Sequence, residues 1–295
     1  MNLNSIYLTG FADEAGAPLE TQIKATQELG WKNIEMRNVK VGDFSSGNLH
    51  DIPNPAFDLV VQGLEEAGLS VNCFGSAIAN GAKNIKDPFD LTFKEARRAI
   101  PRMKRLGAKL IRIMSYPICR NSENQMEEER FRRLREIQAM FADEGLTAMH
   151  ENCGNYGGMG WTYSLKLIEN VPGLKLVYDT GNPVHDDDYT KQEPRPKQSS
   201  WEFYSHIRDH IAYIHVKDGV LEPDGNTRWC FPGEGSGDVV RILRDLLHSG
   251  YTGGISIEPH MGQGLAGPLF TPADNCFRTY VEYGRRLEKI IAQVN

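Results

Sequence analysis

No stretch of this 295-residue chain approaches the roughly 18 consecutive apolar residues of a membrane span, so a bilayer is not an expected partner. The opening Met1-Asn2-Leu3-Asn4-Ser5 has neither the basic segment nor the apolar core of a secretory leader. Cysteine is scarce and shows no pairing pattern. Cys73, Cys119, Cys153, Cys230 and Cys276 are odd in number, widely spaced and free of any Cys-x-x-Cys pair, which argues against a disulfide framework and against a cysteine zinc site. A reducing cytoplasm is the expected compartment. An excess of positive charge is also missing, since 33 Lys and Arg stand against 39 Asp and Glu for a net charge of −6. Proteins that live on a phosphate backbone carry a basic surface, and nucleic acid is therefore not an expected main partner. Low-complexity tracts and linker-like segments are lacking too, so one domain over 1–295 is expected. What the chain does have, 40% hydrophobic and 24% charged residues, is the composition of a globular protein with a sizeable core.

Short apolar runs alternate with amphipathic segments along nearly the whole length. The runs are Ile6 to Gly10, Asn33 to Met36, Ser70 to Phe74, Lys109 to Met114, Leu146 to His150, Leu174 to Tyr178, Ile211 to Val216 and Gly254 to Ile257. Each is followed by a helical pattern: Pro18–Leu29, Pro55–Ala67, Leu91–Leu106, Gln125–Glu144, Tyr163–Glu169, Trp201–Asp209, Val239–His248 and Ala273–Ile291. Five of the predicted helices end on a glycine next to the following run, as in Glu66-Ala67-Gly68-Leu69 and Arg105-Leu106-Gly107-Ala108. Glycine takes the left-handed conformation that stops a helix at little cost. Short helix-to-strand turns and longer strand-to-helix loops predict a single-domain (β/α)8 TIM barrel whose site lies at the strand C-termini. An open doubly wound sheet would alternate in the same way, but no Gly-x-Gly-x-x-Gly follows the first run and eight units suit closure. Three long loops, Pro183–Ser200, Gly219–Gly237 and His260–Pro272, are expected after strands 6, 7 and 8 and to wall a pocket.

The chemistry lies in which residues stand at the strand ends. The fifth run ends in His150-Glu151-Asn152, the sixth in Asp179-Thr180-Gly181-Asn182, the seventh in His215-Val216-Lys217-Asp218 and the eighth in Glu258-Pro259-His260. One acid at a strand end is more often a helix cap or an ion-pair partner than a ligand. Four consecutive strands delivering Glu151, Asp179, His215 and Glu258 to one rim are another matter. Buried carboxylates need compensation, and one divalent cation satisfies three carboxylates and an imidazole together. Oxygen-rich ligation with one nitrogen suits Mn2+ or Mg2+, with Co2+ and Zn2+ as further candidates.

These four motifs, with Gly10-Phe11-Ala12-Asp13-Glu14 and Gly233-Glu234-Gly235, resemble the xylose isomerase-like barrel family of sugar isomerases, epimerases and dehydratases, which also contains endonuclease IV. The resemblance covers nearly the whole chain. It implies metal ligation by Glu151, Asp179, His215 and Glu258. It also implies that Glu151 and Glu258 are catalytic, one removing a proton beside a metal-bound carbonyl and the other returning it through an enediolate. The expected activity is an isomerase or epimerase acting on a small-molecule keto-sugar or related polyol. A lyase or dehydratase acting on a keto-inositol or 3-keto-glycoside is the alternative. A non-catalytic sugar-binding protein is a third class, opposed by the complete ligand set. A nuclease is disfavoured because no histidine lies between His50 and His150 and because Asn182 stands where the nuclease branch has histidine. A homodimer is a further expectation of the resemblance.

Expected substrate contacts are His150, Asn182, His185, Lys217, Asp218, Arg228 and His260. Several have a plainer reading: His150 as a packed strand histidine, Lys217 and Asp218 as a mutual pair, and Arg228, with Glu234, as solvated loop charge. Glu14, Glu35 and Arg37 either line the pocket floor or form an ion pair. Trp31, Trp201 and Tyr213 read as packing, whereas Trp161 and Trp229 lie near the site loops and could stack on a sugar ring.

Overall fold

A computed structural model describes residues 6–81, 83–120, 122–261 and 272–294 of the chain. Eight strands form one parallel sheet: β1 (Tyr7–Gly10), β2 (Asn33–Met36), β3 (Ser70–Gly75), β4 (Leu110–Ile113), β5 (Thr147–Glu151), β6 (Lys175–Asp179), β7 (Ile211–Val216) and β8 (Gly254–Ile257). Hydrogen-bonded order runs β1-β8-β7-β6-β5-β4-β3-β2. The bridge between Phe11 and Glu35 joins the end of β1 to β2, so the sheet closes on itself almost completely, as expected. The helices are α1 (Leu19–Glu28), α2 (Asn54–Ala67), α3 (Asp90–Leu106), α4 (Glu127–Ala142), α5 (Trp161–Asn170), α6 (Ser200–Ile207), α7 (Val239–His248) and α8 (Pro272–Val294). No helix among the described residues is long and apolar enough to cross a membrane.

Residue spacing explains how the helices pack. In α7 the buried residues are Val239, Ile242, Leu243, Leu246 and Leu247, a stripe at i, i+3, i+4, i+7 and i+8 that faces one side of a 3.6-residue helix. Helix α2 stops where Gly68 turns to φ +64°, and Leu69 N–H then donates back to the Leu64 carbonyl. That left-handed cap releases the chain straight into β3.

Alternation along the strands sorts residues between helices and barrel interior. The lower interior is a plug of Cys73, Met149, Val177 and Tyr213. Two residues further along β5, β6 and β7 the interior turns polar at Glu151, Asp179 and His215, joined there by Glu35 of β2, Arg112 of β4 and Ser256 of β8, all buried. Register holds them level, Asp179 pairing with His215 and His215 with Ser256.

Two of the expected loops carry regular structure. The segment after β6 begins with a short helix, Asn182–His185, and the one after β7 forms an antiparallel hairpin of Asp218–Leu221 with Thr227–Cys230. The signal for the hairpin was Glu222-Pro223-Asp224-Gly225, a turn sequence with a mechanism. The third expected loop falls largely on residues 262–271, outside the described residues. A small hairpin of Asn38–Val39 with Gly47–Asn48 stands between β2 and α2.

Just beyond it, His50 is buried and its Nε2 accepts the Ala77 N–H at 3.2 Å. Burial, helped by Arg98, Lys83 and Arg102, lowers its pKa from 6.5 to about 4. The unfolded chain therefore takes up this proton first, and stability falls as the pH drops from about 6.5 to about 4. At 1.36 kcal/mol per unit, this site accounts for about 3 kcal/mol. His50→Gln, which keeps an acceptor, is expected to flatten that part of the urea-midpoint-against-pH curve. An unchanged slope would show that His50 is not responsible.

Candidate metal centre

Glu151 closes β5, Asp179 closes β6, His215 lies one residue before the end of β7 and Glu258 follows β8. All four are buried, and one ligand atom from each lies within 4.8 Å of the others. The strands thus converge the four residues that the sequence singled out.

Each side chain is oriented by neighbours. Asp179 Oδ1 accepts the backbone N–H groups of Gly181 (2.9 Å) and Asn182 (2.7 Å). That tight turn aims Oδ2 inward, where it has no hydrogen bond and lies 3.2 Å from Lys217 Nζ. Asn152 clamps the β5 and β6 ends together, its amide donating to the Asp179 carbonyl (3.0 Å) and its oxygen accepting the Asp179 N–H (2.7 Å). Glu151 Oε2 accepts from Arg112 at 2.8 Å, leaving Oε1 3.1 Å from His215 Nδ1. Glu258 Oε1 accepts from Arg37 at 2.9 Å, while Oε2 faces Lys217 Nζ (3.3 Å) and His215 Nδ1 (3.6 Å). Each glutamate has one oxygen tied to a guanidinium and one turned to the cluster.

The other imidazole nitrogen, Nε2, lies 3.2–3.3 Å from the Glu35 carboxylate, which also accepts from Tyr213 (3.0 Å) and Ser256 (2.5 Å). Donation from Nε2–H to Glu35 leaves the Nδ1 lone pair pointing at two carboxylates. A carboxylate–histidine pair of this kind fixes tautomer and ring orientation for a metal. Burial lowers the His215 pKa, but Glu35 and Glu151 outweigh it and raise the value to about 10. The two carboxylates thus favour a positive charge on the ring. Burial also pushes Asp179 up to about 7 against the pull of Lys217, with Glu258 and Glu151 adding to the rise. A divalent cation fits this donor set on its chemistry, since three buried carboxylates and a lone pair converge there. Glu35→Gln is expected to weaken Mn2+ binding by about 10–100-fold while the fold stands. An unchanged affinity in a Mn2+ titration would remove Glu35 from the centre.

Burial would raise the Glu151 pKa, yet Arg112 and His215 bring it down to about 2. Glu258 is likewise held well below the usual range, because Lys217, His260 and Arg37 outweigh burial.

The remaining expected contacts separate into two groups. Lys217 does not pair with Asp218; it bridges Asp179 and Glu258. His185 faces Thr227 Oγ1 at 3.2 Å, and His260 lies 3.5 Å from Glu14 and 3.7 Å from Glu258. Asn182 is buried beside the cluster, its amide donating to the Asn152 carbonyl at 2.7 Å. Lys217, His260 and Asn182 thus contact cluster residues, whereas His185 contacts the neighbouring hairpin.

His150, Asp218 and Arg228 have other partners. His150 points away from the interior, with Nε2 2.9 Å from both Ser115 Oγ and Asn155 Oδ1, because strand alternation puts neighbours on opposite faces. Asp218 accepts the backbone N–H groups of Gly219, Gly233, Gly235 and Gly237 at 2.8–3.0 Å. Four donors occupy the lone pairs of both oxygens and pin the loop. Arg228 is exposed and pairs with Glu222 across the hairpin at 2.6 Å.

Sequence reasoning missed Arg112 and left Arg37 and Glu35 undecided. The signal for Arg112 was its place inside Leu110-Ile111-Arg112-Ile113, at an interior position. Trp161 stacks on His206 at 3.8 Å, away from the cluster.

The sequence profile of the xylose isomerase-like TIM barrel family matches residues 23–275. An inosose dehydratase of Bacillus licheniformis is 24% identical over 289 residues, covering 82% of this chain and 89% of its own. Among solved structures, a D-tagatose 3-epimerase-like protein superposes with a TM-score of 0.70 at 16% identity, covering 98% of each chain. A Mycobacterium smegmatis barrel solved in complex with magnesium superposes at 0.68, also at 16% identity, covering 97% of each chain. By profile, strand order and the residues at its rim, this chain belongs to the xylose isomerase-like TIM barrel family.

Proposed function

We propose that this protein is a divalent-metal-dependent isomerase or epimerase that transfers a proton at the carbon beside the carbonyl of a keto-sugar or related polyol. Glu151, Asp179, His215 and Glu258 would hold the ion, with Mn2+ or Mg2+ preferred on the donor chemistry and Co2+ or Zn2+ also accommodated. When bound, such an ion polarises a carbonyl and offsets the negative charge that proton removal leaves on oxygen.

One observation carries the reading: two glutamates, from β5 and β8, converge on the centre with His215 Nδ1 between them. Each is immobilised by its own arginine and keeps one oxygen turned inward. Two fixed carboxylates can remove a proton from one face of a carbon and return it to the other. Arg112 and His215 keep Glu151 ionised at neutral pH, and Lys217, His260 and Arg37 do the same for Glu258, so both can accept. Their low basicity means that the substrate C–H has to be acidified by carbonyl polarisation.

A second reading, a dehydratase acting on a keto-inositol, is favoured by the name of the curated relative. It shares the first proton removal and differs in the fate of a hydroxyl on the next carbon. The test is proton–deuterium exchange by NMR in D2O, with metal-loaded protein and a panel of ketoses, keto-inositols and 3-keto-glycosides. Exchange beside the carbonyl that disappears with a chelator is expected, and the product separates epimerase from lyase. Protein that holds its metal and exchanges none of them would sink the proposal.

A further inference from the structure

The hairpin after β7 presents one aromatic side chain to the centre. The Trp229 ring has Lys217 Nζ 5.3 Å from its centroid, and that same ammonium lies 3.2 Å from Asp179 and 3.3 Å from Glu258. On its flanks are His185, with ring centroids 6.0 Å apart and tilted 45°, and His260, at 5.7 Å and 41°. Neither imidazole stacks face to face on the indole. His260 in turn lies 3.7 Å from Glu258.

The placement is built into the hairpin. Trp229 pairs across the ladder with Gly219, and a Cβ on Gly219 would come within 2.9 Å of the indole Cε3 and 3.2 Å of Cζ3. The ring therefore lies over the bare backbone of Gly219, a cross-strand glycine–aromatic packing that fixes a rotamer. Asp218, next in the chain, is pinned by four backbone N–H groups, and His185 meets Thr227 at 3.2 Å. The platform is held from both sides.

We propose that Trp229 is a specificity-determining platform, and that the substrate is a ring-form polyhydroxylated ketone, a six-membered carbocycle or pyranose, whose C–H face lies on the indole while its carbonyl reaches the metal centre. This rests on the enolising reading above and narrows its substrate class. A ring with mostly equatorial hydroxyls has two apolar C–H faces, and a large aromatic surface is the side chain that buries one at little conformational cost. The hydroxyls at the ring edge then point outward, where the imidazoles of His185 and His260 can hydrogen-bond to them. An open-chain ketose has no such face and gains little from the indole.

The experiment compares wild type, Trp229→Phe and Trp229→Leu, all metal-loaded. KM and kcat for deuterium exchange are measured with a keto-inositol and with erythrulose, which is too short to form a pyranose. For the keto-inositol, Trp229→Leu is expected to raise KM by about 10–100-fold with kcat little changed. Trp229→Phe, which keeps an aromatic face, should fall between. For erythrulose the three KM values should agree. A KM that rises equally for both ketones, or for neither, overturns the platform. Quenching of tryptophan fluorescence by myo-inositol, which has no carbonyl, provides an arm independent of turnover. If wild type exchanges neither ketone, the enolising reading fails by itself. Quenching present in wild type and lost in Trp229→Leu would still support the platform, and its absence from wild type would overturn it.

Discussion

Glu258→Gln is expected to lower metal-dependent exchange by about 10²–10⁴-fold while the ion stays bound, the range over which a positioned acid–base group contributes. Glu258 follows the last residue of β8, is buried, and has Oε1 tied to Arg37 at 2.9 Å. Its other oxygen faces Lys217 and His215 Nδ1. Glutamine keeps the shape and one neutral ligand oxygen but cannot take up a proton. Metal content measured beside activity separates loss of the base from loss of the ion. If the proton is removed on one face and returned on the other, Glu151→Gln should have a comparable effect. Retention of full activity by metal-loaded Glu258→Gln would end the two-glutamate account.

Arg112→Met is expected to destabilise the metal-free protein by about 3–5 kcal/mol, the usual cost of leaving one partner of a buried ion pair alone. Arg112 and Glu151 are both nearly inaccessible, 2.8 Å apart. The same guanidinium donates to the Ser76 carbonyl at 3.2 Å and lies 4.9 Å from the Phe11 ring centroid. Methionine fills the space of the stem and removes the charge. Burial then acts on Glu151 without its largest counterweight. A divalent ion would replace part of that charge, so saturating Mn2+ should shrink the difference from wild type in urea unfolding. A metal-free Arg112→Met protein within 1 kcal/mol of wild type would mean that Glu151 is not balanced in this way.

The barrel and its four convergent residues were legible because both follow from patterns that register in one dimension. Apolar runs end where polar residues begin, and the C-terminal ends of barrel strands carry the site. The glycines after α1, α2, α3, α4 and α7 marked the turns, and all five have positive φ. Harder to see was which face a strand residue takes. His150 and Glu151 are adjacent, and only the register decides that one packs under Asn155 while the other faces the centre. Asp218 reads as a site acid in sequence. Its four glycine N–H partners are one to nineteen positions away, and nothing local announces them. Arg112 was hidden by its apolar neighbours, although an arginine at an interior position of a barrel strand needs an anion beside it. Glu35 is 180 positions from His215, a pairing that only closure of the barrel brings about.

The proposed chemistry depends on where the ion binds, and anomalous X-ray scattering from crystals loaded with Mn2+ measures that directly. The result predicted is one strong peak per chain bonded to Glu151, Asp179, Glu258 and His215 Nδ1, with the Lys217 ammonium displaced from between Asp179 and Glu258. A peak instead among Glu14, Glu258 and His260, whose ligand atoms also lie within 4.8 Å of one another, or no peak at saturating Mn2+, would contradict it.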